Sequence, residues 1–357
     1  MSTAPIRVLI ADDSSLFAEG FAQVLRQDAG ISVVGVARTG REAVEMTSGL
    51  RPDLVTMDLH MPEGGGLLGV EGIMSTRPTP IVVLTGDPNF ADASLIFEAL
   101  SRGALELMPK PQLVTGPREA LAALREHLKL LASVPVLYHA GRLRRPEAPE
   151  ASARRRSAPT IIGVVASTGG PSTLAEMLSG LPASFPAGIV VVQHLAAGFI
   201  EHLAAWLQAS TSLKVSVAAE GTSVNPGHVL LAPDGVDLEV DGRSRVRFER
   251  GSPPSARPRP SGDALLSSLA RSFGHSAAGV VLTGMGRDGS AGLVALRRAG
   301  GITVAQAGHT AVIDGMPAAA RETGAVDYVV EREHLAEALI SLVTRGRLAS
   351  VPPVEAR

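Results

Sequence analysis

The sequence predicts an α/β protein of two doubly wound domains. Three observations carry that prediction: 357 residues with 45% hydrophobic content, two blocks of short apolar runs alternating with amphipathic stretches, and a polar interval between the blocks. A chain of this length holds about two domains of roughly 100–200 residues each. Short apolar runs separated by helical periodicity are the pattern of a parallel sheet covered on both faces.

In the first block the runs are Ile6–Ala11, Ile31–Ala37, Leu54–Met57, Ile81–Leu84 and Ala104–Met108. Five strands with intervening helices predict a flavodoxin-like, five-stranded parallel sheet over residues 1–130. Residues 131–158 then read as a linker. The stretch HAGRLRRPEAPEASARRRSA, from His139 to Ala158, has six Arg, two Glu and two Pro without apolar periodicity. The second block, 159–347, carries runs at Ile161–Ala166, Ile189–Gln193, Val229–Ala232, Val280–Leu282, Ile302–Ala305 and Tyr328–Val330. Leu238 to Phe248 reads as a hairpin around Asp241-Gly242, Gly251 to Pro260 as a loop, and 348–357 as a tail.

Composition narrows the function classes. Lys and Arg number 33 against 35 Asp and Glu, so no global field draws nucleic acid or an anionic membrane. The absence of Cys excludes disulfides, thiol nucleophiles and thiolate metal sites. The opening MSTAPIRVLIADD has too short an apolar run for a signal peptide or a span, so a cytoplasmic protein without membrane insertion is expected, and nothing demands more than a monomer.

The first block gathers an acidic cluster. Asp12 and Asp13 follow the first strand, Asp58 the third, Thr85 ends the fourth and Lys110 follows the fifth. In a parallel sheet these strand ends share one edge. Three converging carboxylates repel one another, and a hard divalent cation relieves them. Such a site accepts a phosphoryl group on a carboxylate, here Asp58, while a lysine neutralises charge and a hydroxyl steadies an oxygen.

The second block offers a nucleophile. In IIGVVASTGGPSTLAEML, Ser167 sits where a buried strand meets a helix beginning near Pro171, and the small Thr168-Gly169-Gly170 turn lets backbone amides approach a bound group. Helix capping or a phosphate cradle would use the same pattern. VVVQHL ends the next strand at His194, whose imidazole can act as the base that a hydroxyl needs. VVLTGMGRDGS ends a third strand near Asp288, which can orient His194, and the glycines around Met285 free its N–H to serve as an oxyanion donor.

Two resemblances follow from these residues. ADDS, TMDLHMP, VVLTGD and LELMPKP resemble the receiver domain of two-component response regulators over residues 5–128. That resemblance implies Mg²⁺ bound by Asp12, Asp13, Asp58 and the backbone carbonyl of His60. It also implies phosphorylation of Asp58 by a chemosensory histidine kinase, with Thr85 and Lys110 on the phosphoryl group. Leu107 departs from it, standing where receivers usually carry Tyr or Phe. ASTGG, QH, RPSGD at Arg259–Asp263, LTGMGRDGSAGLVALRRAGGITVAQ at Leu282–Gln306 and DGMPAAA at Asp314–Ala320 are similar to the catalytic domain of the CheB protein-glutamate methylesterases.

The second resemblance implies a Ser167–His194–Asp288 triad with Thr168 beside the nucleophile and Met285 as oxyanion donor. The implied activity is hydrolysis, without a cofactor, of glutamate γ-methyl esters on methyl-accepting chemoreceptors, with deamidation of glutamine at such positions. In that family the unphosphorylated receiver blocks the triad. Departures fall at Trp206 where an arginine is expected, Asp237 near an expected histidine, Gly262 in place of a larger apolar residue, and Ala307-Gly308-His309 in place of acidic residues. A non-flagellar chemosensory client, or a phosphorylation-gated binding module with a relic hydrolase domain, remains compatible with the same residues.

Overall fold

The computed structural model describes residues 4–62, 65–86, 93–111, 117–134, 158–249 and 258–348. The chain divides into two compact units, Met1–Arg142 and Leu143–Arg357. The predicted linker and tail fall almost wholly outside the described residues, as does most of the Gly251 to Pro260 loop.

In the first unit, β1 (Ile6–Ala11), β2 (Ile31–Ala37), β3 (Leu54–Met57), β4 (Ile81–Thr85) and β5 (Glu106–Pro109) alternate with α1 (Ser15–Leu25), α2 (Gly40–Leu50), α3 (Gly65–Thr76), α4 (Ala93–Ser101) and α5 (Arg118–Ala132). The sheet order is β2-β1-β3-β4-β5, and every pairing is parallel. β5 starts two residues later than the apolar run at Ala104. The backbone N–H groups of Gly103 and Ala104 close the end of α4 on Leu100 and Ala99, so the strand cannot begin there.

The second unit holds β6 (Ile161–Ala166), β7 (Gly188–Gln193), β8 (Lys214–Val217), β9 (His228–Leu231), β10 (Asp237–Val240), β11 (Val246–Glu249), β12 (Ala277–Val281), β13 (Ile302–Gln306) and β14 (Tyr328–Val330). Its helices are α6 (Gly170–Ser179), α7 (Ile200–Ser210), α8 (Gly262–Ser272), α9 (Ser290–Arg298), α10 (Gly315–Glu322) and α11 (Leu335–Arg345). Seven strands form one parallel sheet, β14-β13-β12-β6-β7-β9-β8, while β10 and β11 make the predicted antiparallel hairpin. Strand order reverses about β6, and a crevice at the carboxyl ends of β6, β7 and β12 is where such a fold places its ligand. β8 is an edge strand that the apolar runs did not announce: in KVSV Lys214 is exposed, Val215 buried and Ser216 and Val217 half-buried, and the strand pairs in parallel with β9.

Two glycines set the height of the helices over this sheet. Gly163 and Gly279 are register partners on β6 and β12. A Cβ on Gly163 would come within 2.8 Å of Leu266 and Leu269, and one on Gly279 would meet Leu296 at 2.8 Å and Leu293 at 2.9 Å. Helices α8 and α9 therefore press leucines onto bare backbone. Leu265, Leu266, Leu269, Leu293 and Leu296 are fully buried, each contributing about 1.5–3 kcal/mol of burial. The close approach carries the N-terminus of α8 to the carboxyl edge of the sheet. Gly262 answers its departure from the family pattern: a Cβ there would sit 2.3 Å from Cγ1 of Val165 on β6.

Candidate functional site

At the carboxyl edge of the first sheet, Asp12 and Asp58 are buried and Asp13 is exposed, and one ligand atom from each lies within 4.8 Å of the others. Lys110 Nζ bridges Asp12 Oδ2 at 2.7 Å and Asp58 Oδ2 at 2.5 Å, and sits 4.7 Å from the centre of the Phe17 ring. The backbone of His60 donates to Asp58 Oδ1 at 3.0 Å, and the Ser14 N–H donates to Asp12 Oδ1. Thr85 is buried at the end of β4, and its carbonyl accepts the Lys110 N–H at 2.7 Å.

Burial pushes the Asp12 carboxyl above its ordinary range, and the neighbouring Asp58 charge adds to it, outweighing Lys110. Burial acts to lower Lys110, but its hydrogen bonds to both carboxylates prevail and raise it. Lys110 stays charged without neutralising the cluster. An all-oxygen set with surplus buried negative charge fits a hard divalent cation such as Mg²⁺.

At the edge of the second sheet, Ala166 and Gln193 are register partners, so Ser167 and His194 leave adjacent strands at the same level. The backbone holds them there. Ser167 N–H donates to the Thr283 carbonyl at 3.0 Å, and His194 N–H to the Ala166 carbonyl at 2.9 Å. Gln193 Nε2 clamps both strand ends, donating to the Ser167 carbonyl at 2.8 Å and the His194 carbonyl at 2.9 Å. The sequence shows the Gln-His pair but carries no sign of this clamp.

Asp288 follows β12 and meets His194: Nε2 lies 3.0 Å from Asp288 Oδ2. The carboxylate is also gripped by the start of α8. Oδ1 accepts from the Ser261 hydroxyl at 3.0 Å and from the Asp263 N–H at 3.0 Å, and Oδ2 accepts from the Gly262 N–H at 2.6 Å. Burial works to raise this carboxyl, but the hydrogen bonds from His194, Gly262 and Asp263 outweigh it and hold it below its ordinary range. Asp288 is thus a fixed anion. With Nε2 engaged, Nδ1 of His194 has no partner among the described residues, the reverse of the more familiar triad arrangement in which the aspartate takes Nδ1.

The Ser167 hydroxyl makes no hydrogen bond among the described residues, including to His194; catalytic contacts of this kind often tighten only when substrate binds. Its surroundings are close. A Cβ on Gly284 would fall 2.6 Å from Ser167 Cβ, so bare backbone passes directly beside the serine. The next residue, Met285, has a 43% exposed side chain, and its N–H has no acceptor among the described residues. Thr168 is buried, with its carbonyl accepting the Thr283 hydroxyl at 2.9 Å.

The other departures fall in varied surroundings. Leu107 is buried on β5. Ala307 is buried, Gly308 leaves room for the Asp314 carboxylate, and His309 lies 3.1 Å from Glu331. Trp206 lies on α7, half-buried.

Both units match known proteins. Residues 162–339 match the family description CheB methylesterase, and residues 8–122 match the response regulator receiver domain. A protein-glutamate methylesterase/protein-glutamine glutaminase of Anaeromyxobacter dehalogenans is 45% identical over 338 residues, covering 95% of this chain and 97% of that one. A counterpart in Myxococcus xanthus is 41% identical, covering 95% of this chain and 94% of its own length. Among solved structures, the Thermotoga maritima CheB methylesterase catalytic domain shares 36% identity with a TM-score of 0.50, covering 52% of this chain and 99% of that one. The chain therefore belongs to the CheB methylesterase family whose members join a response regulator receiver domain to the catalytic domain.

Proposed function

We propose that the second domain hydrolyses glutamate γ-methyl esters on methyl-accepting chemoreceptors, and deamidates glutamine there, under control of phosphorylation at Asp58. The observation that carries this reading is the 3.0 Å hydrogen bond between His194 and a carboxylate fixed by three further donors, at the strand end beside Ser167.

Ser167 Oγ attacks the ester carbonyl carbon and its proton passes to Nδ1 of His194, since Nε2–H is held by Asp288. The Met285 N–H, which follows the Gly284 backbone passing beside the serine, would donate to the oxyanion. Collapse breaks the C–OCH₃ bond, Nδ1–H protonates the leaving oxygen, and methanol departs. Water then attacks the acyl-serine by the same route, returning glutamate and Ser167. Glutamine would release ammonia in place of methanol. Water is the only co-reactant.

In the receiver, Asp12, Asp13, Asp58 and the His60 carbonyl would hold Mg²⁺, which neutralises charge as a phosphoryl group is transferred to Asp58. Lys110, already 2.5 Å from Asp58 Oδ2, and Thr85 would then hold the phosphoryl oxygens. A chemosensory histidine kinase supplies the group, and the protein acts as a cytoplasmic monomer on the receptor. Among the described residues no helix is long and apolar enough to cross a membrane.

Methanol release from methyl-labelled receptor membranes tests the assignment. Wild type should release it, and Ser167→Ala should lose about 10⁴-fold or more. Release by Ser167→Ala at the wild-type rate would remove Ser167 from the chemistry.

A further inference from the structure

We propose that Asp237 is a positioning residue of the hydrolase site: by gripping the segment Arg259–Ser261 it fixes the donors that aim Asp288 at His194. The inference rests on the triad reading above and concerns a residue that touches neither substrate nor reacting atoms.

Asp237 opens β10 and is 1% exposed. The hairpin uses its backbone, opposite Glu249, and leaves the carboxylate for other work. A buried carboxylate is unfavourable unless it is paired and hydrogen-bonded. Oδ1 accepts the Ser261 N–H at 2.9 Å, and Oδ2 lies 3.5 Å from Arg259 Nε. One side chain therefore holds two residues immediately before α8.

Ser261 is the pivot. It is fully buried, its N–H faces Asp237, and its hydroxyl donates to Asp288 Oδ1 at 3.0 Å while accepting the Ala264 N–H as N-cap. The serine is held between two carboxylates, one fixing its backbone and the other receiving its proton. Gly262 and Asp263, the next two residues, supply the remaining backbone donors to Asp288. A shift of Ser261 therefore moves three of the four groups that orient the triad carboxylate. Asp237 stands near the position where the resemblance places a histidine, and here the carboxylate holds Ser261 and Arg259.

Two near-isosteric variants of the full-length protein separate the brace from simple packing. Asp237→Asn keeps an acceptor for the Ser261 N–H, and Asp237→Leu removes it. Two readouts are taken: kcat and KM for methanol release, and the downfield proton NMR signal of the His194 ring N–H bonded to Asp288, identified by its loss in His194→Gln. Asp237→Leu should lower kcat by about 10–100-fold with KM unchanged, as expected of a misplaced catalytic group, and should shift or broaden the signal. Asp237→Asn, which keeps the Ser261 acceptor but turns an amide NH2 toward Arg259, should fall between wild type and Asp237→Leu in both.

Should the leucine variant fail to fold, Ser261→Ala is the second probe, with kcat and the signal changing in the same direction. A folded Asp237→Leu with wild-type kcat and signal would overturn the proposal, as would an Asn variant as damaged as the Leu variant. Wild type lacking esterase activity, with a signal still sensitive to Asp237→Leu, would overturn the methylesterase reading and leave the positioning role standing.

Discussion

Both domains place their decisive carboxylate at the carboxyl edge of a parallel sheet, yet the two edges treat negative charge in opposite ways. In the receiver, Asp12 and Asp58 are buried side by side with one lysine between them, and the Asp12 carboxyl is raised by burial and repulsion. In the catalytic domain, Asp288 is buried as well but meets a ring nitrogen, a hydroxyl and two helix-start amides, and is lowered. The difference teaches that burial alone does not decide a carboxylate's role. Under-supplied with donors, it attracts a cation; fully supplied, it becomes a rigid orienting anion.

Four expectations would break or sharpen this contrast. The largest concerns Asp288→Asn, which should lower kcat by about 10⁴-fold by presenting the wrong partner to the His194 tautomer. Steady-state methanol release checks it, and a loss below tenfold would deny Asp288 its orienting role.

Next, Mg²⁺ should raise the unfolding temperature of the first domain and not of the second, by about 2.7 kcal/mol of stability at a hundredfold excess over its dissociation constant. Calorimetry with Asp58→Asn as control decides this, and equal stabilisation of both domains would contradict the donor count.

Third, isosteric neutralisation should have opposite effects in metal-free protein at neutral pH. Asp12→Asn should raise the stability of its domain, and Asp288→Asn should lower that of its own. The linkage signs follow from the two shifts. The raised Asp12 carboxyl costs stability as pH climbs through its folded pKa, whereas the depressed Asp288 carboxyl contributes stability above its unfolded value of 3.8, lost as pH falls through its folded pKa. Urea titrations of each variant between pH 3 and 7 read both.

The smallest effect concerns His127, whose ring is 2.9 Å from Glu106 and is raised chiefly by that hydrogen bond. Its stabilisation is complete below the unfolded value of 6.5 and lost as pH rises through the folded pKa. Glu106→Gln should remove that slope, a difference of under about 1 kcal/mol for a pair of this kind.

The same contrast marks where the sequence was readable. Strands buried on both faces are continuous apolar runs, so Ile6–Ala11, Leu54–Met57 and Ile161–Ala166 coincide with β1, β3 and β6. Edge strand β8 escaped because it is half exposed and spells KVSV rather than an apolar block. Ser167, His194 and Asp288 were visible as residues at strand ends, since topology alone gathers such ends on one edge. The ring nitrogen that faces Asp288 was not visible, because a side-chain rotamer sets it. Nor was the role of Ser261, Gly262 and Asp263. These residues reach Asp288 only because Gly163, Gly262 and Gly279 let α8 settle onto the sheet, a packing fact with no signature at any one position.

One measurement tests the central claim most directly: methanol release from methyl-labelled receptors by wild type and Asp58→Asn, with and without a small-molecule phosphodonor and Mg²⁺, Ser167→Ala serving as blank. The account predicts release that requires Ser167, rises with phosphodonor in wild type and does not respond to it in Asp58→Asn. Release that ignores phosphodonor in wild type, or responds equally in Asp58→Asn, would contradict it.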